Sequence, residues 1–215
     1  MKMKELFSKS TKYLRELSVV VIGITITFAL NNWISRTNDE KDLQRYLSAV
    51  HAELEYNLEG VHNMYNYHKR MEDFSSYLRS IKPEHISQDS LQKYSDVIKS
   101  RPISIYQTSA FEMLKMSGTM RLIKDKSVFK SIMDTYALLD AGNKIGETYF
   151  TTRQELLIET ALNAPNTTFE LVINNFSAPT NRRLYNFHSM ENNSSSLFQY
   201  IADETKKTLE QFPKE

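Results

Sequence analysis

The sequence predicts an all-α protein in which one N-terminal transmembrane helix leads into a long amphipathic helix, and this packs with later helices in an extracytoplasmic bundle. Three observations predict it. Leu17 to Ser35 reads LSVVVIGITITFALNNWIS, an uncharged stretch long enough to cross a bilayer as a helix. From Leu43 to Leu78 apolar residues recur at heptad spacing. Gly and Pro number only five each in 215 residues, too few for the regularly spaced turns of an all-β chain.

Composition bounds the rest. With 25% charged and 40% hydrophobic residues, the chain reads as an ordered protein that is not wholly embedded in lipid. A net charge of +1 removes the electrostatic reason to expect a nucleic-acid partner. Without cysteine there is no disulfide, thiolate chemistry or Cys-based metal site, and no cofactor is expected.

At about 1.5 Å per residue, the roughly 19 residues of the uncharged stretch nearly match a hydrocarbon core of about 30 Å. Tyr13 and Trp33 stand where amphipathic rings prefer the headgroup level, and the lipid bilayer is the expected partner. Residues 1–16 carry Lys2, Lys4, Lys9, Lys12 and Arg15, against Arg36, Lys41 and Arg45 on the far side. The positive-inside rule therefore puts a basic tail (1–16) in the cytoplasm, the span at 17–35, and a periplasmic helical domain at 36–215, anchored in the cell inner membrane. A cleaved signal peptide would need an A-x-A-like exit, where this chain has Leu30-Asn31-Asn32-Trp33. A buried strand or a core helix of a soluble domain are the other readings of so apolar a run.

Within the span, Gly23, Thr27 and Asn31 recur at i, i+4, i+8, a stripe that lets helices approach closely in lipid. It is read either as a seam for a homo-oligomer or membrane-protein partner, or as residues that tolerate lipid because threonine hydroxyls bond back to their own helix.

The long helix, expected at about 39–80, presents Leu43, Leu47, Val50, Leu54, Asn57, Val61, Met64, His68, Met71 and Leu78. This seam suits a parallel coiled coil or intrachain packing, and the apolar faces of later helices favour the second. Pro83 ends the arm, and Ser87 to Ser90 supply N-cap residues for a short helix at about 88–100 that Pro102 closes. Ser109-Ala110-Phe111-Glu112 has the form of a capping box, and Gly118 stands where a helix stops, which predicts a helix at 110–117. Asp125 caps the next, at about 126–164, where Gly142 and Gly146 mark either a close crossing or a break; continuity is preferred. Residues 165–181 read as a loop around a short segment at 169–176. One final helix is expected at about 182–212.

Two blocks carry a family likeness. YLRELSVVVIGITITFALNNW (Tyr13 to Trp33), followed by a charged heptad helix with Glu53-Leu54 and Asn57, resembles the start of an uncharacterised family of single-span envelope proteins common in Bacteroidota. FEMLKMSGTMRLIKD (Phe111 to Asp125) is similar to its second block, a short helix, a Ser-Gly turn and a Leu-Ile-Lys run before a long helix. The resemblance implies an N-terminal span and a helical outer domain, and it carries no assigned activity or functional residue.

Motifs that bear chemistry are sparse. Glu59-x-x-His62 has the spacing of a di-iron half-site, but no second copy exists; His51, Glu55, Glu59 and His62 form an acidic, imidazole-bearing strip. Ser127-x-x-Lys130 matches the nucleophile motif of penicillin-recognising enzymes without its companion motifs. No catalytic, metal or cofactor-binding residue is therefore assigned. Gly118, in Ser117-Gly118-Thr119, is read as a structural turn.

The expected function is a membrane-anchored interaction or scaffold protein of the envelope. An extracytoplasmic ligand-sensing domain acting through a membrane partner is the alternative, since the basic tail holds no output domain. An enzyme is the third reading, and it requires a cleft gathering Glu53, Glu55, Glu59, His62, Asp140 and Glu147.

Overall fold

The computed structural model describes residues 2–100, 105–162, 176, 182–190 and 193–212, with side chains from Glu16 onward except at Lys99 and Ala161. The fold is all-α, with no strand among the described residues. The described residues form seven α-helices: α1 (Lys2–Ser80), α2 (Gln88–Lys93), α3 (Ser95–Lys99), α4 (Ser109–Met116), α5 (Lys126–Leu162), α6 (Arg182–Ser189) and α7 (Ser194–Glu210). Short 3-10 turns at Pro83–His85 and Thr119–Leu122 join some of them.

The expected span and the heptad helix are one element, a 79-residue helix about 120 Å long. No Gly or Pro lies between Gly23 and Gly60 to interrupt it, and the Thr37 hydroxyl, where the apolar stretch ends, is satisfied within the helix by the Trp33 carbonyl at 2.9 Å. Helix α1 stops at Ser80, three residues before Pro83, whose ring disfavours helical geometry in the residue preceding it.

All ten seam residues are buried against the chain's own later helices. Helices α7, α4 and α6 cover the seam, so the packing reading holds in place of a coiled coil. Along α1 the contacts fix directions. Ser195 lies beside Glu72 and Phe212 beside His51, so α7 runs antiparallel to α1. Helix α5 packs on α7 and α6 and runs parallel to α1, reaching it through Tyr136 to Glu53 and Arg153 to Tyr67. Burying Leu54, Met64, Met71, Phe74 and Leu78 completely contributes about 2 kcal/mol per side chain.

Three boundaries differ from expectation. The helix expected at 88–100 is α2 and α3, broken at Tyr94 (φ −103°, ψ 10°). The final helix expected at 182–212 is α6 and α7, because Asn193 turns left-handed (φ 61°), which asparagine tolerates better than most residues. The Ser109-x-x-Glu112 capping box does not form: Thr108 is the N-cap, without a side-chain bond, and Glu112 pairs with Lys115 instead. The segment expected at 169–176 lies outside the described residues except for Phe176, which is buried.

Helix α5 is continuous through Gly142, where a Cβ would stand 3.0 Å from Ile201 Cδ1 of α7 and 3.6 Å from Tyr106. The glycine is thus a close helix crossing. Gly142→Leu is expected to cost about 2 kcal/mol by overpacking, read as a lowered thermal midpoint of the detergent-solubilised chain. An unchanged midpoint would mean that the crossing is loose.

Candidate functional site

The apolar stretch projects from the bundle with none of its residues buried. From Leu17 to Ile34 every large apolar side chain is at least half exposed, including Phe28 at 71% and Trp33 at 66%. Tyr13 lies in the same helix, its side chain outside the described ones. Around Gly23 a Cβ would meet nothing within 4 Å. The Thr27 hydroxyl donates to the Gly23 carbonyl at 2.9 Å and Thr25 to Val21 at 2.8 Å, so both are satisfied within their own helix. Asn31 is exposed beside them.

Beyond this stretch, α1 is a spine whose polar side chains hold the backbone ends of the other elements. Glu53 is buried; Oε2 accepts from the Ala110 N–H at 2.8 Å, and Oε1 accepts from the Phe111 N–H at 3.3 Å and the Tyr136 hydroxyl at 2.5 Å. It thereby replaces the missing cap of α4, and the Phe111 and Tyr136 rings stack 4.1 Å apart over it. Burial, with the Glu53 hydrogen bond and charge behind it, pushes the Tyr136 phenol well above its usual range. One turn on, Asn57 donates to the Gln107 carbonyl at 2.8 Å and accepts from the Gln107 N–H at 2.7 Å, pairing with that backbone as a strand would.

Farther along α1 the pattern continues. Arg70 donates to the Lys93 carbonyl at the end of α2 and to Asp96 in α3. Glu72 accepts from the Ser195 N–H at 2.9 Å in the first turn of α7. Burial raises the Glu72 pKa, but the Ser195 hydrogen bonds and Lys69 outweigh it and hold the carboxyl below its usual value. Ser75 and Arg79 both donate to the Ser189 carbonyl that ends α6.

Arg153 of α5 is buried. Its guanidinium donates to the Tyr67 hydroxyl at 2.5 Å and to the carbonyls of Ser100 at 2.8 Å and Val97 at 3.2 Å, and it stands 5.2 Å over the Phe150 ring. No carboxylate pairs with it among the described residues. Nearby, His188 is fully buried among Phe74, Phe176 and Phe187, and neither ring nitrogen has a hydrogen-bond partner among the described residues. Burial and the Arg153 charge push its pKa down to about 3.

At the opposite end of the bundle, α1 faces the turn between α4 and α5 across a groove of about 660 Å³. Gly118 makes that turn possible with φ 70°. Because a Cβ there would meet nothing, Gly118→Ala is expected to cost only the strain of a left-handed backbone, about 1 kcal/mol, in the same thermal assay. A cost several times larger would indicate that the turn is packed.

The residues considered for catalysis share no cleft among the described residues: Glu55, Glu59 and His62 lie along α1, with Glu59 exposed and His62 half-buried, and Glu147 is exposed on α5. Glu53 is engaged with α4, Glu55 lies 3.7 Å from His51 and Asp140 pairs with Lys144 at 2.6 Å. Ser127 opens α5 bonded to Asp125 at 2.6 Å, while Lys130 pairs with Asp134. No group of three or more His, Asp or Glu able to hold a metal ion forms among the described residues. Reading the sequence missed Glu53 as a cap, Glu72 and Arg153. Only the polar breaks at Asn57 and His68 in an apolar seam signalled polar joints.

Fold and geometry together define a helical protein with, among the described residues, one helix long and apolar enough to cross a membrane. No family model, curated protein or solved structure matches the chain.

Proposed function

We propose that the chain is a single-pass membrane protein of the bacterial envelope, with its N-terminus in the cytoplasm, its domain in the periplasm, and an interaction or scaffold role for that domain. One observation carries the reading: the wholly exposed apolar stretch and the spine of the domain are the same unbroken helix. An apolar surface of this size left open to water is costly, at about 25 cal/mol per Å², and lipid removes that cost. The basic excess before Leu17 supports the orientation. The likeness of Tyr13–Trp33 and Phe111–Asp125 to the Bacteroidota envelope family points the same way.

Protease treatment of intact spheroplasts tests the topology: the domain is expected to be degraded from outside, and full protection would reverse the orientation. Crosslinking from membranes tests the role: recovery of the protein always alone would remove the scaffold reading. A ligand-sensing role is the second reading. It is favoured by the way α1 holds the ends of α4, α6 and α7, so that a shift of these elements is passed to the span.

A further inference from the structure

The groove between α1 and the α4–α5 turn is placed where the apolar stretch ends. Its α1 side begins at Thr37, three residues past Ile34 and about 5 Å farther along the axis, and continues to Leu47. Headgroups occupy about 5–8 Å beyond each face of the hydrocarbon core, so the lower end of the groove, at Thr37, opens at headgroup level if Leu17–Ile34 spans the bilayer, and its wall rises from there to Leu47. The facing turn is held at that height: Arg121 lies 3.9 Å from Asp39, and Met116 beside it is 85% exposed.

The lining is amphiphilic. Leu47, Leu122, Ile123 and Val128 make an apolar wall, while Lys41 and Lys124 stand at its rim with no ion pair among the described residues. Glu40 and Asp125 stand beside the lysines. Serine hydrogen bonds hold the Asp125 carboxyl below its usual pKa, which keeps it anionic. Cations for a phosphate, carboxylates for an ammonium and an apolar wall for an acyl chain complement one class of molecule. The volume falls within the range of ordinary ligand sites, about 300–1,000 Å³.

We propose that this groove binds a zwitterionic phospholipid of the adjoining leaflet, one bearing a phosphate and a primary ammonium, with Lys41 and Lys124 on the phosphate and an acyl chain against Leu122 and Ile123. The site rests on the membrane-anchor reading given above. It would fasten the foot of the domain to the bilayer beside the point where α1 leaves it.

The test reconstitutes the full chain into vesicles of phosphatidylethanolamine and phosphatidylglycerol. These carry a trace of either phosphatidylethanolamine or phosphatidylglycerol with a photoactivatable acyl chain, and labelled peptides are mapped after flotation. The ethanolamine probe is expected to label residues 37–47 and 120–128, and the Lys41→Glu/Lys124→Glu variant to lose about tenfold of that labelling. Lys130→Glu, on an exposed residue outside the groove, is expected to label as wild type does. Label confined to residues 17–34, equal labelling of the charge-reversed variant, or preference for the glycerol probe would overturn the proposal while leaving the anchor intact. A chain that fails to float with the vesicles would overturn both.

Discussion

Glu53→Leu is expected to lower the thermal midpoint of the full chain in detergent by about 10 °C, the equivalent of about 4 kcal/mol in a protein of this size. The reason is that one buried carboxylate serves three donors: the Ala110 and Phe111 N–H groups and the Tyr136 hydroxyl. Leucine fills much of the volume but accepts nothing. Each buried donor left unsatisfied costs about 1–3 kcal/mol, partly relieved where water reaches the end of α4. Glu53→Gln keeps one acceptor and is expected to cost about half as much. Circular dichroism melts of the three proteins decide the matter. Should Glu53→Leu melt with wild type, α4 would be held by its apolar contacts alone and Glu53 would not be a joint of the spine.

Acid is expected to destabilise the domain through His188. Its folded pKa of about 3 lies below the usual 6.5, so the folded state binds its proton later than the unfolded chain does. Above about pH 6.5 both states are neutral and the group contributes no pH dependence. Between 6.5 and 3 the unfolded chain is protonated while the folded chain is not, so stability falls as pH falls, by about 1.4 kcal/mol per unit. From pH 6.5 to 4 the loss is about 3 kcal/mol. Glu72 also has a lowered pKa, but its loss begins only near the ordinary carboxyl value of 4.5, which leaves pH 6.5 to 4.5 to the histidine. Denaturant melts at intervals across that window should show the slope in wild type and a flatter line in His188→Leu. The variant should match or exceed wild type at pH 7.5, because it buries no unpartnered ring nitrogen. An equal slope in both proteins would assign the acid response to other groups.

Much of the fold is legible in the amino-acid sequence. The uncharged run and the ten seam residues were readable because a helix rises by a constant step and repeats its faces at a constant angle, so apolar spacing alone reports which side is covered. Gly118 was legible for a related reason, since a positive φ after a helix is a local demand that glycine meets most cheaply. Gly142 was readable only as an ambiguity. Whether it breaks α5 or admits a neighbour depended on Ile201, which lies 59 positions away in the chain.

By itself, the sequence determined the all-helical class, the long apolar projection and the buried face of the spine, all consequences of forces acting within a few turns of one helix. Tertiary structure alone decided how the helix ends are satisfied. Ser109-x-x-Glu112 looked like a self-sufficient cap, yet the α4 amides go to Glu53, and the break between α6 and α7 is held by Glu72 and Asn193. A hydrogen-bond donor takes the best-placed acceptor in space, and for these donors it comes from a segment more than fifty residues away, which no local pattern encodes.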